Sequence, residues 1–288
     1  MRASYRWLRV AIACCLAVGI VGCTGTATGV SAADPAPDPS TTGAPATEVR
    51  VLQLNLCNSG IAACYSAGRS IDEAARVINA EAPDLVTLNE ICEDDLGALE
   101  RALGRAVPGG TAVSAFQAAR DRDTGDGYRC ANGQRFGIGI VSRWRAVAGS
   151  GPGGGIYPVQ DAEDPEERAW LCVDVAATPV VSACTTHLAY TKREVAAGQC
   201  RYLFDTVIAG MRARDGAPPV VVGGDLNLAG DDPGLRSCVP DGSALADDGA
   251  VQHVVATPEF VVAAARTIEL RVDTEHPGLL VTLARRTS

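Results

Sequence analysis

Several apolar stretches of this sequence end in residues that can bind a cation or move a proton. The clearest is VVVGGDLN, residues 220–227, where an apolar run is followed by two glycines and then by Asp225 and Asn227. Alternate residues of a strand point the same way, so a carboxylate and an amide can lie together at a strand end, where glycines let a ligand approach the backbone. The alternative is a buried strand that ends in an ordinary polar turn.

Other strand-like runs end in or lead to residues of the same kind. These are Asn55, Glu90, His187, and the adjacent pair Glu275 and His276. Carboxylates and amides without a thiolate suit a hard cation such as Mg²⁺ or Ca²⁺. Imidazoles near such a cation suit proton transfer and stabilisation of a phosphate group. Because the chain has only three histidines, two of them at strand ends carry more weight than polar turn residues.

Strand and helix patterns alternate at the start of the folded region. Residues 48–56, EVRVLQLNL, alternate as a first strand, and residues 84–89 form a second strand that leads to the acid. Between them Ser70 and Glu73 predict a capping box for a helix that ends before Pro83. A strand, a helix and a strand in this order indicate an α/β fold.

The rest of the chain supplies further strands and helices around a long polar loop, residues 121–133. Besides 220–227, strands are predicted at 135–142, 168–175, 179–188, 251–256, 260–272 and 279–285, and helices at 92–106 and 192–214. Strands 168–175 and 179–188 are expected to pair antiparallel, and the glycines of 149–155 to form a turn. No repeat or internal boundary interrupts residues 48–288, which we expect to be one domain.

The N-terminal residues have the composition of an export signal. Three arginines precede an apolar run too short to span a bilayer, which is typical of a signal peptide over residues 1–22. The run ends in IVGC, which resembles a bacterial lipobox and implies a lipid on Cys23 after cleavage. Residues 23–47 would then be a flexible tether. Cleavage after Ala33 is the alternative and would release a soluble protein.

Eight of the eleven cysteines lie beyond this leader. In an exported chain an even set predicts disulfides, and the absence of a CxxC spacing argues against a zinc site or a redox dithiol. The order along the chain suggests the pairs Cys57 with Cys64, Cys92 with Cys130, Cys172 with Cys184, and Cys200 with Cys238. The third pair has the best support because its members lie on successive predicted strands.

Composition limits the possible functions. Hydrophobic residues make up 47% of the chain, which argues for a substantial core, and the formal net charge is −9. A chain without a broad basic surface does not bind nucleic acid loosely through bulk charge, although a bound metal can make one site locally cationic.

From residue 49 to residue 283 the sequence resembles the endonuclease/exonuclease/phosphatase superfamily. The matching motifs, in order, are LQLNL, DLVTLNE, FGIGIVSR, TTHL, GGDLN and EHPGLLVTL. Each motif is short, and their order across one region makes the resemblance specific. It implies an α/β fold of the deoxyribonuclease I type, a four-layer αββα sandwich of two mixed β-sheets with the active site at one end.

By position, the resemblance implies roles for the residues at the strand ends. Glu90 matches the family's metal-binding acid, with Asn55 nearby on metal or phosphate and Glu275 as a further acid for the metal. Asp225 matches the residue that aligns or deprotonates the attacking water. Asn227 would orient that site or touch phosphate.

Two histidines and an arginine complete the implied site. His187 would donate a hydrogen bond to the phosphate as negative charge builds in the transition state. His276 would be the general base. Arg168 matches an arginine near phosphate, and a surface salt bridge is the alternative for it.

The sequence departs from the family pattern at two places. Glu275 stands where an aspartate usually precedes the second histidine, and Gln252 stands where an aspartate usually orients that histidine. Glutamine can accept a hydrogen bond but cannot stabilise an imidazolium by charge. Either another acid, such as Asp247, Asp248 or Asp273, takes that role, or the second histidine is a poorer base. The neighbouring histidine, residue 253, is expected in the core, with a place beside the site as the alternative.

These features predict a surface-tethered phosphodiesterase that uses Mg²⁺, or Ca²⁺ or Mn²⁺, and acts as a monomer with the lipid as its only membrane contact. DNA or RNA outside the cell is favoured as substrate because an exported enzyme meets nucleic acid there and because four arginines cluster around the polar loop: Arg120, Arg122, Arg129 and Arg135. A sphingomyelinase-like phosphodiesterase or a phosphatase would use the same chemistry. A surface binding module with an impaired site is the alternative outside enzymes.

Overall fold

Two six-stranded β-sheets form the centre of the fold. The computed structural model of the chain describes residues 48–151 and 153–286. The strands are β1 (Glu48–Asn55), β2 (Leu85–Cys92), β3 (Val113–Ala118), β4 (Arg120–Asp121), β5 (Phe136–Ser142), β6 (Gly153–Ile156), β7 (Glu166–Glu167), β8 (Ala169–Val175), β9 (Val181–His187), β10 (Val220–Asp225), β11 (Ala244–Asp247), β12 (Gln252–Ala256), β13 (Phe260–Ile268) and β14 (Gly278–Arg285). The helices are α1 (Arg69–Glu81), α2 (Asp95–Ala106), α3 (Arg193–Arg201), a π-helix (Tyr202–Ile208) that continues it, α4 (Ala209–Arg212) and α5 (Pro233–Cys238).

Both large sheets mix parallel and antiparallel neighbours. The first has the strand order β13-β14-β1-β2-β5-β3 and the second β11-β12-β10-β9-β8-β6, while β4 and β7 form a small separate ribbon. The pair β1 and β2 is parallel in the first sheet, as is the pair β9 and β10 in the second. A parallel pair needs a crossover connection, and α1 and α3 lie in these two crossovers.

Three apolar layers hold the sheets and helices together. The largest lies between the sheets and includes Val51 of β1 and Val221 of β10. On the outer face of the first sheet, Leu52 of β1 packs with the apolar sides of α1 and α2. On the outer face of the second sheet, Val222 of β10 packs with α3, the π-helix and α5. The result is the four-layer αββα sandwich of two mixed sheets that the resemblance implied.

The structure corrects some predicted element ends. Strand β2 continues past residue 89 to Cys92, helix α2 begins only at Asp95, and β13 ends at Ile268. The capping box was wrong: α1 begins at Arg69, and the Glu73 carboxylate bonds the Arg76 guanidinium. The Ser66 hydroxyl oxygen accepts the Ser70 N–H instead.

Three edge strands of the large sheets, β3, β6 and β11, have no counterpart in the sequence prediction. Strand β3 carries only weak alternation, and β6 lies within the glycines expected to form a turn. At Gly154 a Cβ atom would lie 2.4 Å from the Gln117 side chain, and at Gly155 it would lie 3.2 Å from the Trp170 ring. These glycines therefore allow close contact at a sheet edge.

Four disulfides join the eight cysteines of the described region. They are Cys57–Cys64, Cys92–Cys130, Cys172–Cys184 and Cys200–Cys238, the pairs suggested by their order along the chain. Such a set is typical of proteins that fold outside the reducing cytoplasm. The predicted signal peptide, the lipid site at Cys23 and the tether lie outside the described residues. No helix within residues 48–151 and 153–286 is long and apolar enough to cross a membrane.

Candidate active site

The inward faces of the central strands change from apolar to polar along their length. The inward residues are those that face the other sheet. They are Val49, Val51, Gln53 and Asn55 in β1. In β10 they are Val221, Gly223 and Asp225, and in β9 they are Ala183, Thr185 and His187. Since β1 and β2 are parallel, as are β9 and β10, the polar ends meet at one end of the sandwich. This change within each strand creates the site.

A pocket of about 470 Å³ opens at this end of the sandwich. Its lining includes seven of the eight predicted site residues: Glu90, Arg168, His187, Asp225, Asn227, Glu275 and His276. The eighth, Asn55, is only 1% exposed and bonds two of the lining carboxylates from below. The structure therefore brings together side chains that are up to 221 residues apart, Asn55 and His276.

Asp225 is held by hydrogen bonds on both carboxylate oxygens. Its Oδ2 accepts from Asn55 Nδ2 at 3.1 Å and from Gln252 Nε2 at 2.7 Å, and it lies 3.5 Å from His276 Nε2. Its Oδ1 accepts the Asn227 backbone N–H at 3.0 Å. Burial raises the pKa of Asp225 despite the favourable charge of His276 and these donors. The carboxylate is fixed in direction and poorly solvated, which suits a group that takes a proton.

Glu90 reaches the pocket through an irregularity in β2. Its φ is +55°, and the pairing of β2 with β5 shifts register between Leu88 and Ile91. The Glu90 Oε1 atom accepts from Asn55 Nδ2 at 2.9 Å. Burial raises the pKa of Glu90, and the nearby charge of Asp225 raises it further. One amide thus bridges two carboxylates whose repulsion a cation would relieve.

The oxygen donors of this pocket fit a divalent cation that keeps most of its water better than a cation bound by protein ligands alone. Among the described residues, no three Asp, Glu, His or Cys side chains are grouped for metal coordination. Asn55 turns its Oδ1 to the Cys57 N–H at 3.1 Å, and the side chain of Glu275 is exposed at the pocket wall. Glu90 and Asp225 remain as oxygen donors. Mg²⁺ commonly uses one or two carboxylates and keeps several waters, so these residues fit it.

Arg168 fixes the protonation state of His187. Both side chains are buried, and the Arg168 Nη1 atom lies 2.9 Å from His187 Nδ1 and 3.3 Å from Nε2. A guanidinium only donates, so a ring nitrogen of His187 accepts; we assign this role to the nearer atom, Nδ1, which puts the hydrogen of the neutral ring on Nε2. Burial lowers the pKa of His187 well below its usual range, and the charges of Arg168 and His276 add to this. His187 is therefore a neutral hydrogen-bond donor at the pocket.

The environment of Arg168 differs from that of a surface salt bridge. Its side chain is 3% exposed and pairs with Asp164 Oδ2 at 2.9 Å and Glu166 Oε1 at 3.2 Å. Burial raises the pKa of Glu166 to about 7. The positive charge of Arg168 lowers this pKa, and the negative charges of Glu90 and Asp164 offset part of that lowering. Two acids thus hold the arginine against His187.

Replacing Glu166 with glutamine should remove a loss of folding stability that grows as the pH rises. Because the pKa of Glu166 is raised from 4.5 to about 7, the folded protein holds this proton more tightly than the unfolded chain. The Glu166 contribution to stability is therefore present below pH 4.5 and lost as the pH rises to about 7. In EDTA, we expect the melting temperature of Glu166→Gln relative to wild type to increase over this range. A constant difference between the two melting curves would contradict the raised pKa.

Gln252 does not take over the role of the missing aspartate. Its Nε2 donates to Asp225, and its Oε1 accepts from Gln53 Nε2 at 2.9 Å. Gln53 also donates to Asn89 Oδ1 at 2.7 Å, and that oxygen accepts the Asp225 backbone N–H at 2.8 Å. The acid beside His276 is Asp225 itself. Sequence reasoning missed Gln53 and Asn89, although both lie on the inward face of their strands, Gln53 two residues before Asn55 and Asn89 directly before Glu90.

The two glycines of VVVGGDLN serve packing more than ligand approach. A Cβ atom on Gly223 would lie 2.1 Å from Thr87 Oγ1 in the other sheet, and one on Gly224 would lie 2.4 Å from the Thr186 carbonyl oxygen. Asn227 has a left-handed φ of +50° and donates from Nδ2 to the Leu188 carbonyl oxygen at 2.9 Å. The motif thus joins the ends of β9 and β10.

His253 lies apart from this site, as expected for a core histidine. It is 1% exposed and pairs in register with Gly224, whose neighbours Gly223 and Asp225 face the interior between the sheets. Its Nδ1 atom bonds the Val251 carbonyl oxygen at 2.8 Å. Burial lowers its pKa, which keeps the ring neutral.

Comparisons with known proteins agree with this architecture. A structure of an endonuclease/exonuclease/phosphatase from Beutenbergia cavernae matches with a TM-score of 0.61 and 22% identity, over 83% of this chain and 72% of that one. Truncated TDP2 from Caenorhabditis elegans matches with a TM-score of 0.58 and 16% identity, over 83% and 98%. A mannosyl-6-phosphatase from Bacteroides thetaiotaomicron matches with a TM-score of 0.59 and 13% identity, over 82% and 99%. At these identities the likeness establishes a shared fold.

The sequence itself establishes the family. No curated protein matches the chain significantly. The sequence model of the Endonuclease/Exonuclease/phosphatase family matches residues 52–276, which covers most of the chain and all the site residues from Asn55 to His276. The protein therefore belongs to the endonuclease/exonuclease/phosphatase family of phosphoric-ester hydrolases, enzymes that generally use divalent metal ions.

Proposed function

We propose that this protein is an exported phosphodiesterase, dependent on a divalent metal, in which water attacks phosphorus in line with the leaving oxygen. The observation that carries the proposal is the buried Asp225 carboxylate, which is held by Asn55 and Gln252 and lies 3.5 Å from His276. A carboxylate with a fixed direction and a raised pKa, next to an imidazole, is suited to orient a water and accept its proton.

The remaining side chains have complementary roles in this mechanism. His187, neutral with its hydrogen on Nε2, donates to a non-bridging phosphoryl oxygen as charge develops there. Asn227 keeps Asp225 Oδ1 engaged through its backbone N–H. The water proton passes to the Asp225 and His276 pair, the bond from phosphorus to the leaving oxygen breaks with its electron pair, and solvent protonates that oxygen.

Glu90 and Asp225 would hold the metal ion, which we propose to be Mg²⁺, with Ca²⁺ or Mn²⁺ as alternatives. Bound there, the ion would supply positive charge to the phosphoryl oxygens. Glu275 lines the same pocket and would supply a further oxygen to the ion. Asn55 would orient the two carboxylates by donating to both.

Nucleic acid outside the cell remains the proposed substrate because an exported enzyme meets it there, and not because of the arginine cluster. Arg120 and Arg122 both pair with Glu167, and Arg135 pairs with Glu93. These arginines therefore provide little free charge to bind a phosphate backbone. The disulfides support export, and we propose a monomer over residues 48–288 that is tethered through a lipid on Cys23.

Turnover assays separate the proposed substrates. The purified chain with Mg²⁺ should be tested against plasmid, single-stranded DNA, sphingomyelin and inositol phosphates. We expect EDTA-sensitive cleavage of nucleic acid. Cleavage of sphingomyelin alone would show that the substrate is a phospholipid and that the proposed chemistry holds. If none of the four is turned over in an EDTA-sensitive reaction, the proposal that the protein is an enzyme is rejected.

Metal binding can be measured without turnover. We expect millimolar Mg²⁺ to raise the melting temperature, because a cation offsets the repulsion between Glu90 and Asp225. In Glu90→Gln the shift should be absent, whereas in Glu194→Gln, which changes an exposed glutamate of α3, it should be unchanged. Equal shifts in all three proteins would place the metal elsewhere and favour a binding module at this pocket.

A further inference from the structure

Tyr190 is a largely exposed aromatic residue that follows two fully buried residues. Its side chain is 65% exposed, while the preceding residues, Leu188 and Ala189, are buried to 0% and 1% exposure. It stands in the short connection between β9 and α3 and lines the same pocket as His187 and Asp225. A large apolar ring left in solvent at the mouth of an active site is a candidate for ligand contact.

The residues on both sides of Tyr190 are held by hydrogen bonds. Before it, the Leu188 carbonyl oxygen accepts from Asn227 Nδ2 at 2.9 Å, and the Ala189 N–H donates to Gln199 Oε1 at 2.9 Å. After it, Lys192 Nζ donates to Asp161 Oδ1 at 2.7 Å, and the Thr191 hydroxyl donates to the same carboxylate. A ring held in this way loses little freedom when a ligand packs against it.

One side of the ring is already occupied by protein. The Arg168 guanidinium carbon lies 5.5 Å from the Tyr190 ring centroid, close enough for a cation–π interaction. Arg168 also contacts His187, so Tyr190 is joined to the catalytic imidazole through one rigid side chain. The ring is therefore oriented relative to His187.

A second exposed apolar side chain lines the same pocket. Ile61 is 60% exposed and belongs to the loop that the Cys57–Cys64 disulfide closes. The Ser59 hydroxyl oxygen accepts the Ile61 N–H at 3.1 Å, and the Ser59 carbonyl oxygen accepts the Ala131 N–H. This wall is also built from ordered backbone.

The charge of the pocket argues against binding of phosphates other than the scissile one here. The acids Asp164, Glu166 and Glu275 line it, and Arg168 is paired with the first two. Apolar walls beside one phosphate site suit a single ester that carries a flat group, since stacking on an aromatic ring tolerates any planar partner.

We propose that Tyr190, together with Ile61, forms a subsite that binds one planar aromatic group attached to the scissile phosphate, such as a nucleobase or an aryl ring. This inference rests on the proposed function for its placement of the phosphate. It makes the substituent next to the phosphate, rather than the rest of a nucleic acid chain, the part of the substrate that the enzyme recognises.

Three diesters with one leaving group test the subsite in turnover. These are the phosphorothiolate diesters of methyl phosphate, phenyl phosphate and thymidine 5′-phosphate whose shared, non-aromatic leaving group, 2-hydroxyethanethiolate, is followed with a chromogenic thiol reagent. We expect KM for the phenyl and thymidine esters to rise about tenfold in Tyr190→Ala, a larger change than for the methyl ester, and to stay near wild type in Tyr190→Phe. Tyr65→Ala, which removes an exposed tyrosine outside the pocket lining, is the matched control. The phenyl and thymidine results separate an aryl site from a nucleobase site.

Equilibrium binding separates failure of the subsite from failure of the proposed function. Calorimetry with methyl phosphate, hexyl phosphate, phenyl phosphate and thymidine 5′-phosphate requires no turnover. Tighter binding of the planar ligands that Tyr190→Ala abolishes supports the subsite, even in a chain without activity, in which case only the proposed function fails. Equal effects of Tyr190→Ala on all ligands, or hexyl phosphate binding as tightly as phenyl phosphate, would overturn the planar subsite, and the second outcome would favour a lipid substrate.

Discussion

Asparagine at position 225 is expected to lower kcat/KM for phosphodiester hydrolysis by roughly 10²–10⁴-fold, the range for loss of a positioned acid or base. The exchange keeps the shape of the side chain and removes its ability to take the proton of the attacking water. It also removes one charge from the proposed metal position beside Glu90. Steady-state kinetics with a chromogenic diester and Mg²⁺ measures the loss.

A folded but inactive variant is the result that supports a role in catalysis. The asparagine relieves the cost of a buried charge, because burial raises the pKa of Asp225, but its amide nitrogen conflicts with the donors of Asn55 and Gln252 or of Asn227. These effects have opposite signs, so we expect a melting temperature within about 4 °C of wild type. Asp241→Asn, in an exposed turn, is the matched control and should change neither quantity. Activity near wild type in Asp225→Asn would remove Asp225 from the mechanism.

Alanine at position 187 is expected to lower kcat by about 10²–10³-fold, the cost of losing one preorganised donor to a charged transition state. The His187 Nε2–H is that donor because Arg168 occupies Nδ1. KM should change less than kcat, since the interaction strengthens only as charge develops. His187→Gln, whose amide can reach toward the Nε2 position, should recover part of the loss.

A second histidine provides the control for this prediction. His253→Gln alters a histidine that is equally buried but faces away from the pocket and bonds the Val251 carbonyl oxygen. It should lower the melting temperature without lowering kcat in the folded protein. The account of His187 would be wrong if His187→Ala and His253→Gln reduced kcat to the same extent.

Much of this site follows from strand alternation. Asn55, Asp225 and His187 each occupy the inward position at the end of a buried strand, and two-residue periodicity alone places them on one face. The same rule applied to β1 and β2 gives Gln53 and Asn89 the inward positions before the site. The residues were therefore predictable, but their partners were not.

Long-range contacts account for what the sequence did not reveal. Gln53 and Gln252 bond each other across 199 positions, so nothing local identifies Gln252 as a support for Asp225 rather than for His276. Similarly, Arg120 and Arg122 read as free positive charge until the fold brings Glu167 beside them. Strand β6 was missed because its glycines indicate a turn, whereas their small size serves close packing against Trp170.

The central claim is that water, positioned by Asp225, attacks phosphorus in this pocket with the help of a divalent cation. Hydrolysis of bis(p-nitrophenyl) phosphate in oxygen-18 water tests it most directly. The account predicts one labelled oxygen in the p-nitrophenyl phosphate product, none in the released phenol, and loss of the reaction both with EDTA and in Asp225→Asn. Label in the phenol, or turnover that persists in EDTA or in Asp225→Asn, would contradict it.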